Sequence, residues 1–124
     1  MDPDCSPELT AMLGSAIATA ISDIPFDGPT STTQVGLIDG EFVFNPNAAQ
    51  RAVSDLQLTV ASTRDKVIMI EAGANEVPEA KMIEAIFAAH EVNQGSDQVH
   101  RYDRGRVWKR KACIHKLCSA GRIV

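Results

Sequence analysis

The feature that most constrains the fold of this chain is a break in charge and apolar patterning near Gln94. Residues 1–94 hold 14 acidic and 4 basic side chains, a net charge of −10, whereas residues 95–124 hold 2 acidic and 8 basic ones, a net charge of +6. All six prolines precede the break, and so does every segment with regular apolar spacing. We therefore treat residues 1–94 as a folded body and residues 95–124 as a separate basic tail without a helix or strand pattern.

The body begins with a helix signal. Ser6 suits an N-cap, and Pro7 suits the first helical turn, where its missing N–H costs nothing. Apolar residues at spacings of three and four then predict a helix over residues 7–22, and because its other positions are small we expect deep burial. The apolar stripe comprises Leu9, Met12, Leu13, Ala16, Ile17, Ala20 and Ile21.

From Gln34 the apolar period changes to two. Asp39-Gly40 separates two alternating apolar runs, a strong hairpin signal because both residues tolerate positive φ. A second pair of strands is predicted over residues 56–61 and 66–70, with a turn at residues 63–65 between them. The continuous apolar run of residues 67–70 favours a strand that is covered on both faces.

A second helix is predicted to start at Pro78. Glu76 and Glu79 stand where carboxylates interact favourably with the positive end of a helix dipole. The order helix, β-hairpin, two strands, helix predicts an α+β layer fold followed by the unpatterned tail. The apolar face of the second helix comprises Val77, Met82, Ile83, Ile86 and Phe87, and it continues through Ala89 toward Val92.

Several consecutive motifs, in this order, resemble bacterial polyribonucleotide phosphorylases. They match the C-terminal half of the first RNase PH-like core domain of that family, and the resemblance runs through Ala89-His90-Glu91, about three quarters of the chain. The motifs are Pro7-Glu8-Leu9, Asp23–Phe26 with Gly28-Pro29, Gln34–Phe42, Leu56–Ala61 and Val67–Glu76.

The resemblance implies a ring-shaped homotrimer that degrades RNA from its 3′ end. The cytoplasm is the expected compartment, because the sequence has three cysteines without a signal peptide and no apolar run of membrane-spanning length. Inorganic phosphate is the attacking group, nucleoside diphosphates are released, and the reverse reaction makes the family polyribonucleotide nucleotidyltransferases. Mg²⁺ is implied for the full-length enzyme. The family's catalytic groups lie mainly in the second core domain, and its basic RNA-guiding loop precedes the segment matched here. We therefore assign no catalytic residue and no cofactor to this chain, and expect it to be inactive alone.

Two polar groups of the body invite a functional interpretation, and each has a structural alternative. Thr30–Thr33 offers hydroxyls to a phosphate, but it lacks the glycine-rich turn and lysine of a P-loop, so a polar loop is preferred. Asp39 and Glu41 suggest a metal pair, but as turn residues of a hairpin they are expected to face water.

The remaining polar residues of the body give no clear site. We interpret Glu71 and Glu76 as helix-dipole partners and His90 as an ordinary helix residue. The cations of the body are too few and too scattered to collect phosphates; they are Arg51, Arg64, Lys66 and Lys81.

The tail carries more conspicuous candidates. Cys113, His115 and Cys118 form a compact cluster of metal-ligand types, although a stable zinc site usually has a fourth ligand. A basic stretch with aromatic residues suggests RNA binding. No apolar run of the sequence approaches membrane-spanning length. The candidate RNA-binding residues are Arg104, Arg106, Trp108, Lys109, Arg110 and Lys111.

A third hypothesis for the tail is that it is translated out of frame from about Gly95. Synonymous codons from Val99 onward can be chosen so that reading one nucleotide later gives a peptide with the apolar spacing of a helix. That peptide resembles the continuation of the phosphorylase family. An out-of-frame origin also accounts for a basic, proline-free and unpatterned tail.

Three functional interpretations of the whole chain follow. In the first, it is an inactive phosphorylase fragment, and we expect it to be poorly soluble, molten or aggregated because the first half of the domain is missing. In the second, it is a small RNA-binding protein that uses the basic tail, which predicts salt-dependent binding. In the third, the body associates with full-length phosphorylase subunits through its uncovered core faces.

Overall fold

The structure, a computed structural model, describes residues 4, 6–26 and 28–107, with residues 96–107 as backbone only. The helix, hairpin, two strands and helix expected from the sequence all occur in that order, so the α+β prediction is confirmed. One short additional helix lies between the two pairs of strands. The elements are α1 (Pro7–Ile21), β1 (Ser31–Ile38), β2 (Glu41–Phe44), α2 (Ala48–Val53), β3 (Leu56–Ser62), β4 (Val67–Ala74) and α3 (Glu79–Val107).

The four strands form one antiparallel sheet in the order β2-β1-β3-β4. In the hairpin of β1 and β2, Ile38 pairs with Glu41 across a two-residue turn. Both turn residues have positive φ, 51° at Asp39 and 83° at Gly40. This geometry matches the right-handed twist of the strands, and it confirms the hairpin predicted from Asp-Gly.

The core lies between α3 and one face of the sheet. Val35 and Leu58 pair across β1 and β3, and both are fully buried together with Val60. Ala85 and Ala89 of α3 pack against them, also fully buried. Alanine at these two positions lets the helix axis approach the sheet closely, so a small set of side chains makes a continuous core.

A buried hydrogen-bond cluster joins the C-terminal part of α3 to the sheet. Asn93 is 2% exposed, and its Oδ1 accepts a hydrogen bond of 2.8 Å from the Thr33 hydroxyl. Its Nδ2 donates to the Val60 carbonyl at 3.1 Å and to the Ser62 hydroxyl oxygen at 2.9 Å. One amide side chain therefore binds β1 and β3 at once, and both polar atoms of this buried amide have hydrogen-bond partners.

Three expectations about burial are wrong. In α1 the buried residues are Ala16 and Ala20, and the small residues on the other side of the helix face solvent rather than lying deep in the structure. Strand β4 is not covered on both faces, because none of its residues is buried and both Ile68 and Ile70 are exposed. Phe87 of the predicted apolar face of α3 is also exposed. Apolar spacing identifies the elements but does not say how many neighbours each one has.

Helix α3 continues past the sequence break at Gln94. Its backbone is helical through Val107, although the sequence pattern predicts no helix after Gln94. Residues 95–107 contain no proline, and once a helix has begun, each added residue gains one hydrogen bond for one fixed residue. The change in charge and apolar patterning is therefore not a helix end.

The short helix α2 is the element that the sequence analysis missed. The Gln50 N–H donates to Asn47 Oδ1 at 2.9 Å, and the Asn47 N–H donates to Gln50 Oε1 at 3.0 Å, which makes a reciprocal capping box. Asn47 and Gln50 at this spacing were the available signal. Six residues without an apolar stripe gave no helical period to support it.

Gly36 lies in close contact with Ser54, which follows α2. The Ser54 Oγ accepts a hydrogen bond of 2.9 Å from the Leu37 N–H and donates one of 2.6 Å to the Leu56 carbonyl. A Cβ at residue 36 would lie 2.9 Å from that oxygen. The serine cannot rotate away without losing both hydrogen bonds.

We therefore expect Gly36→Ala to lower the free energy of unfolding by about 1 to 3 kcal/mol, the usual cost of overpacking. In a Ser54→Ala background the same change should cost less, because the nearest remaining atoms are Pro46 Cγ at 3.5 Å and Ser54 Cβ at 3.6 Å. Urea unfolding of the four proteins in this double-mutant cycle measures the difference. Strictly additive effects would contradict the close contact.

Candidate functional site

The largest groove described separates the first turns of α1 from the face of the sheet opposite α3. Its volume is about 540 Å³. Glu8 and Met12 of α1 line one side, and Gln34, Thr59 and Glu71 line the other. The groove has two carboxylates and no cationic lining residue, so it repels rather than attracts a phosphate.

The two groove carboxylates differ in their surroundings. The Ser6 hydroxyl donates a hydrogen bond to the Glu8 carboxylate, and this bond, supported by the backbone N–H of Glu8, lowers the pKa of Glu8.

Glu71 lies inside β4, several residues before α3, so its interpretation as a helix-dipole partner is wrong. Glu76 lies in the loop before α3 with φ of 52°, and Glu79 is in the first turn of that helix.

A second groove, of about 320 Å³, lies where α1, β1 and α2 meet. It is rich in hydroxyl groups, among them those of Ser6, Thr10 and Thr32, and Arg51 is its one cationic lining residue. Arg51 Nη1 already donates to the Pro46 carbonyl at 2.7 Å. One guanidinium with part of its donor set used is not the cationic cluster that holds RNA phosphates.

The predicted phosphate-loop candidate at Thr30–Thr33 belongs to the sheet. Its last three residues begin β1, and Ser31 and Thr33 are buried. The Thr33 hydroxyl is engaged with Asn93. The segment is thus mainly strand, so both the phosphate-binding loop and the polar loop predicted from the sequence are wrong.

Asp39 lies in the β1–β2 turn and Glu41 is the first residue of β2, and both side chains are exposed. Across the described residues there is no group of three or more His, Cys, Asp or Glu side chains placed to hold a metal ion. The described residues therefore do not fit the Mg²⁺ that the family resemblance implies, and we derive no step through that ion.

His90 lies half-buried on α3 and takes part in a local contact. Its Nε2 is 3.1 Å from Gln94 Nε2, and Gln94 Nε2 also donates to the Arg64 carbonyl at 3.0 Å. Its Nδ1 has no hydrogen-bond partner among the described residues. This arrangement ties α3 to the β3–β4 turn, and is in keeping with the interpretation of His90 as a helix residue.

The cations of the body are dispersed. Lys81 makes an ion pair of 3.0 Å with Glu84 and lies 5.4 Å from the centre of the Phe42 ring, on the β2 side of the sheet. Arg64 and Lys66 lie at the β3–β4 turn, on the opposite side. Dispersed single charges give weak, strongly screened attraction for a polyanion, so the expectation from the sequence holds for this part of the chain.

The candidates in the tail lie largely beyond the described residues. Residues 108–124, which include the candidate metal ligands Cys113, His115 and Cys118, are outside the description. Arg104 and Arg106 lie on the backbone of α3, and their side chains are not described. The other RNA-binding candidates, Trp108, Lys109, Arg110 and Lys111, are likewise outside it. In the part of the chain that is described, no helix has the length and apolar character needed to cross a membrane.

Comparison with known proteins gives a consistent result. Residues 28–92 match the model of the 3′ exoribonuclease family, domain 2. The chain is 87% identical over 94 residues to a polyribonucleotide nucleotidyltransferase of Lachnoclostridium phytofermentans, an alignment that covers 76% of this chain and 14% of that protein. It is 58% identical over 91 residues to the enzyme of the same name from Alkaliphilus oremlandii, which covers 73% of this chain and 13% of that one.

A solved structure with a similar fold is rice (Oryza sativa) Rrp46. The superposition has a TM-score of 0.63 and 15% sequence identity, and covers 88% of this chain and 51% of the rice chain. At that identity the match concerns the fold alone. Together with the family model it identifies the α+β body as part of an RNase PH-like domain. The chain spans about one seventh of the length of its curated relatives.

Proposed function

Because the chain belongs to the 3′ exoribonuclease family, whose domain 2 it matches over residues 28–92, we propose that its body is the C-terminal half of the first RNase PH-like core domain of a polyribonucleotide nucleotidyltransferase. The observation that carries this proposal is the 87% identity to the Lachnoclostridium phytofermentans enzyme over 94 residues. Identity at that level leaves little room for a different fold or a different place in the parent protein.

The body's role in this proposal is to support the domain rather than to perform chemistry. Its described grooves are acidic or contain one engaged arginine, and its cations are dispersed. The parent protein would degrade RNA from the 3′ end with inorganic phosphate and Mg²⁺, as a cytoplasmic homotrimer. The groups that hold phosphate and metal would come from other parts of that protein.

The first test is an activity assay of the chain alone. We expect no phosphate-dependent release of nucleoside diphosphate from polyadenylate, because the described residues include neither a phosphate-binding cluster nor a metal-ligand group. The Lachnoclostridium phytofermentans enzyme, assayed in parallel, is the positive control. Phosphorolysis by the purified chain would contradict the supporting role.

The second test asks whether the body occupies the proposed place. In a chimera, residues 1–94 of this chain replace the aligned segment within the full-length Lachnoclostridium phytofermentans enzyme. We expect this chimera to keep its assembly state and phosphorolytic activity, because the exchanged segments are 87% identical over 94 residues. A matched chimera carrying Leu58→Ala should be less stable, because Leu58 is fully buried. If the chimera with the unchanged segment fails to assemble, the proposal is overturned.

We also propose that the tail is out of frame. The 94 residues aligned with the Lachnoclostridium phytofermentans enzyme equal the length of the acidic body, which supports a junction near Gly95. Sequencing the gene across the codons for Gln94–Val124 tests this. A single-nucleotide change that restores a phosphorylase reading frame is the expected result, and an intact gene in which no shifted frame resembles a phosphorylase would contradict it.

A further inference from the structure

The two residues of the β1–β2 turn, Asp39 and Gly40, can react with each other. The Gly40 nitrogen attacks Cγ of the protonated Asp39 carboxyl group, and the hydroxyl group leaves with the proton of that nitrogen as water, which closes a five-membered succinimide ring. One water molecule then opens the ring. Opening at the Cγ–N bond restores aspartate, whereas opening at the backbone carbonyl leaves isoaspartate, whose main chain runs through Cβ and Cγ. Glycine favours the attack because no side chain shields its nitrogen.

The folded turn holds Asp39 in a conformation that prevents this attack. Its φ is 51°, and an L-residue with positive φ has ψ of roughly +30° to +60°. The tetrahedral geometry of an L-residue then places Cβ almost opposite the Gly40 nitrogen about the Cα–C bond. Ring closure needs the reverse, with Cβ and that nitrogen on the same side. Asp39 must therefore rotate by nearly half a turn about its Cα–C bond before its carboxyl group can reach Gly40.

The hairpin around the turn opposes this rotation. Ile38 pairs with Glu41 directly beside the two turn residues, and a two-residue turn of this kind requires positive φ at both of them. Phe42, the next residue of β2, packs against the core. Rotation at Asp39 would separate the Ile38–Glu41 pair and pull on Phe42, so the reactive conformation belongs to an open hairpin.

Access of water does not limit the reaction. Asp39 and Gly40 are both exposed, and a Cβ at residue 40 would have no neighbouring atom within 4 Å. Solvent therefore reaches the carboxyl group and the nitrogen in the folded chain. What distinguishes the folded turn from an unfolded Asp-Gly segment is its backbone conformation.

We propose that Asp39 is an isomerisation site that the folded β1–β2 turn protects, and that it converts to isoaspartate only while the hairpin is open. An isoaspartate adds one atom to the main chain of a two-residue turn, so the Ile38–Glu41 pair cannot close with the same geometry. Strand β2 has four residues and pairs only with β1 among the described strands. The modification is therefore expected to leave a chain that cannot regain its β2 pairing.

Peptide mapping of the full chain by mass spectrometry tests this proposal, which does not depend on the proposed function. The chain is incubated in buffer and in guanidinium chloride at the same neutral pH and temperature, and isoaspartate at residue 39 is followed with time. We expect it to form at least about tenfold more slowly in buffer, because the reaction then requires the hairpin to open.

The chain contains a second Asp-Gly pair, Asp27-Gly28, which serves as the internal reference. Asp27 lies outside the described residues, so this pair is compared only in guanidinium chloride, where both sites should react at similar rates. Asp39→Glu keeps a carboxylate but would need a six-membered ring, so it should abolish the signal at residue 39 in both solutions and assigns that signal.

Phe42→Ala tests whether opening of the hairpin controls the reaction. Removing the ring weakens the packing of β2 on the core, so isoaspartate should form faster in buffer, while the rate in guanidinium chloride should not change. Val53→Ala is the matched control, because Val53 is 66% exposed on α2, and it should change neither rate.

Three results would overturn the proposal. The first is equal rates at residue 39 in buffer and in guanidinium chloride, because the turn would then give no protection. The second is a rate in buffer that Phe42→Ala leaves unchanged, which would separate the reaction from opening of the hairpin. The third is a lack of isoaspartate at residue 39 in guanidinium chloride while Asp27 reacts, because Asp39 would then not be an isomerisation site.

Discussion

Replacing Asn93 with leucine is expected to lower the free energy of unfolding by about 2 to 4 kcal/mol, because several buried polar groups lose their partner at once. The Thr33 hydroxyl, the Val60 carbonyl and the Ser62 hydroxyl all bond to this one amide. Leucine has a similar volume and adds apolar burial. The decrease in the free energy of unfolding therefore reports chiefly the lost hydrogen bonds.

The measurement is urea unfolding followed by circular dichroism. The urea concentration at the midpoint and the slope of the free energy of unfolding against urea concentration are both compared with those of the unchanged protein. Gln94→Leu is the matched control, because Gln94 is exposed and its amide bonds one backbone carbonyl, that of Arg64. That substitution should cost less than about 1 kcal/mol. If both changes have equal effects, α3 is not held to the sheet through Asn93.

Truncating Leu58 to alanine should cost about 2 to 5 kcal/mol, the range for a large apolar side chain removed from a packed core. Leu58 is fully buried at the centre of the sheet, where it pairs with Val35 of β1 and Ala72 of β4. Neighbours held by two flanking strands cannot easily collapse into the space, so most of the cavity should remain.

The same unfolding experiment tests this prediction, with Val53→Ala as the control. Val53 is exposed on α2, and its truncation should change stability by about 0.5 kcal/mol or less. A cost below about 1 kcal/mol for Leu58→Ala would mean that the side chains between sheet and helix are loosely packed. That result would support the expectation of a molten chain and contradict the packed core.

The local elements could be predicted from the sequence because their signals are local. Pro7 begins α1, Asp39-Gly40 makes the hairpin turn, and Pro78 immediately precedes α3. Each signal acts through the φ preference or the missing N–H of one or two residues. The family could be identified for the same reason, since its motifs are short runs in a fixed order.

The candidate site was less accessible to sequence reasoning. Its distance along the chain places Glu71 near the start of α3, whereas in the sheet it lines the groove beside α1 opposite Glu8. The apolar pattern does not include Asn93, although a polar residue four positions after Ala89, on the buried face of a helix, is a signal of a buried hydrogen bond. Its partners lie 60, 33 and 31 residues away in sequence, so no local pattern names them.

The sequence by itself determined the type and order of the elements, the turn of the hairpin and the membership of the family. Only the tertiary structure decided the strand order β2-β1-β3-β4, and with it the edge position of β4 and the exposure of Ile70. The physical reason is that burial depends on which elements become neighbours. An apolar strand reads the same in the sequence whether one partner or two lie beside it, and only packing shows which edge is left open.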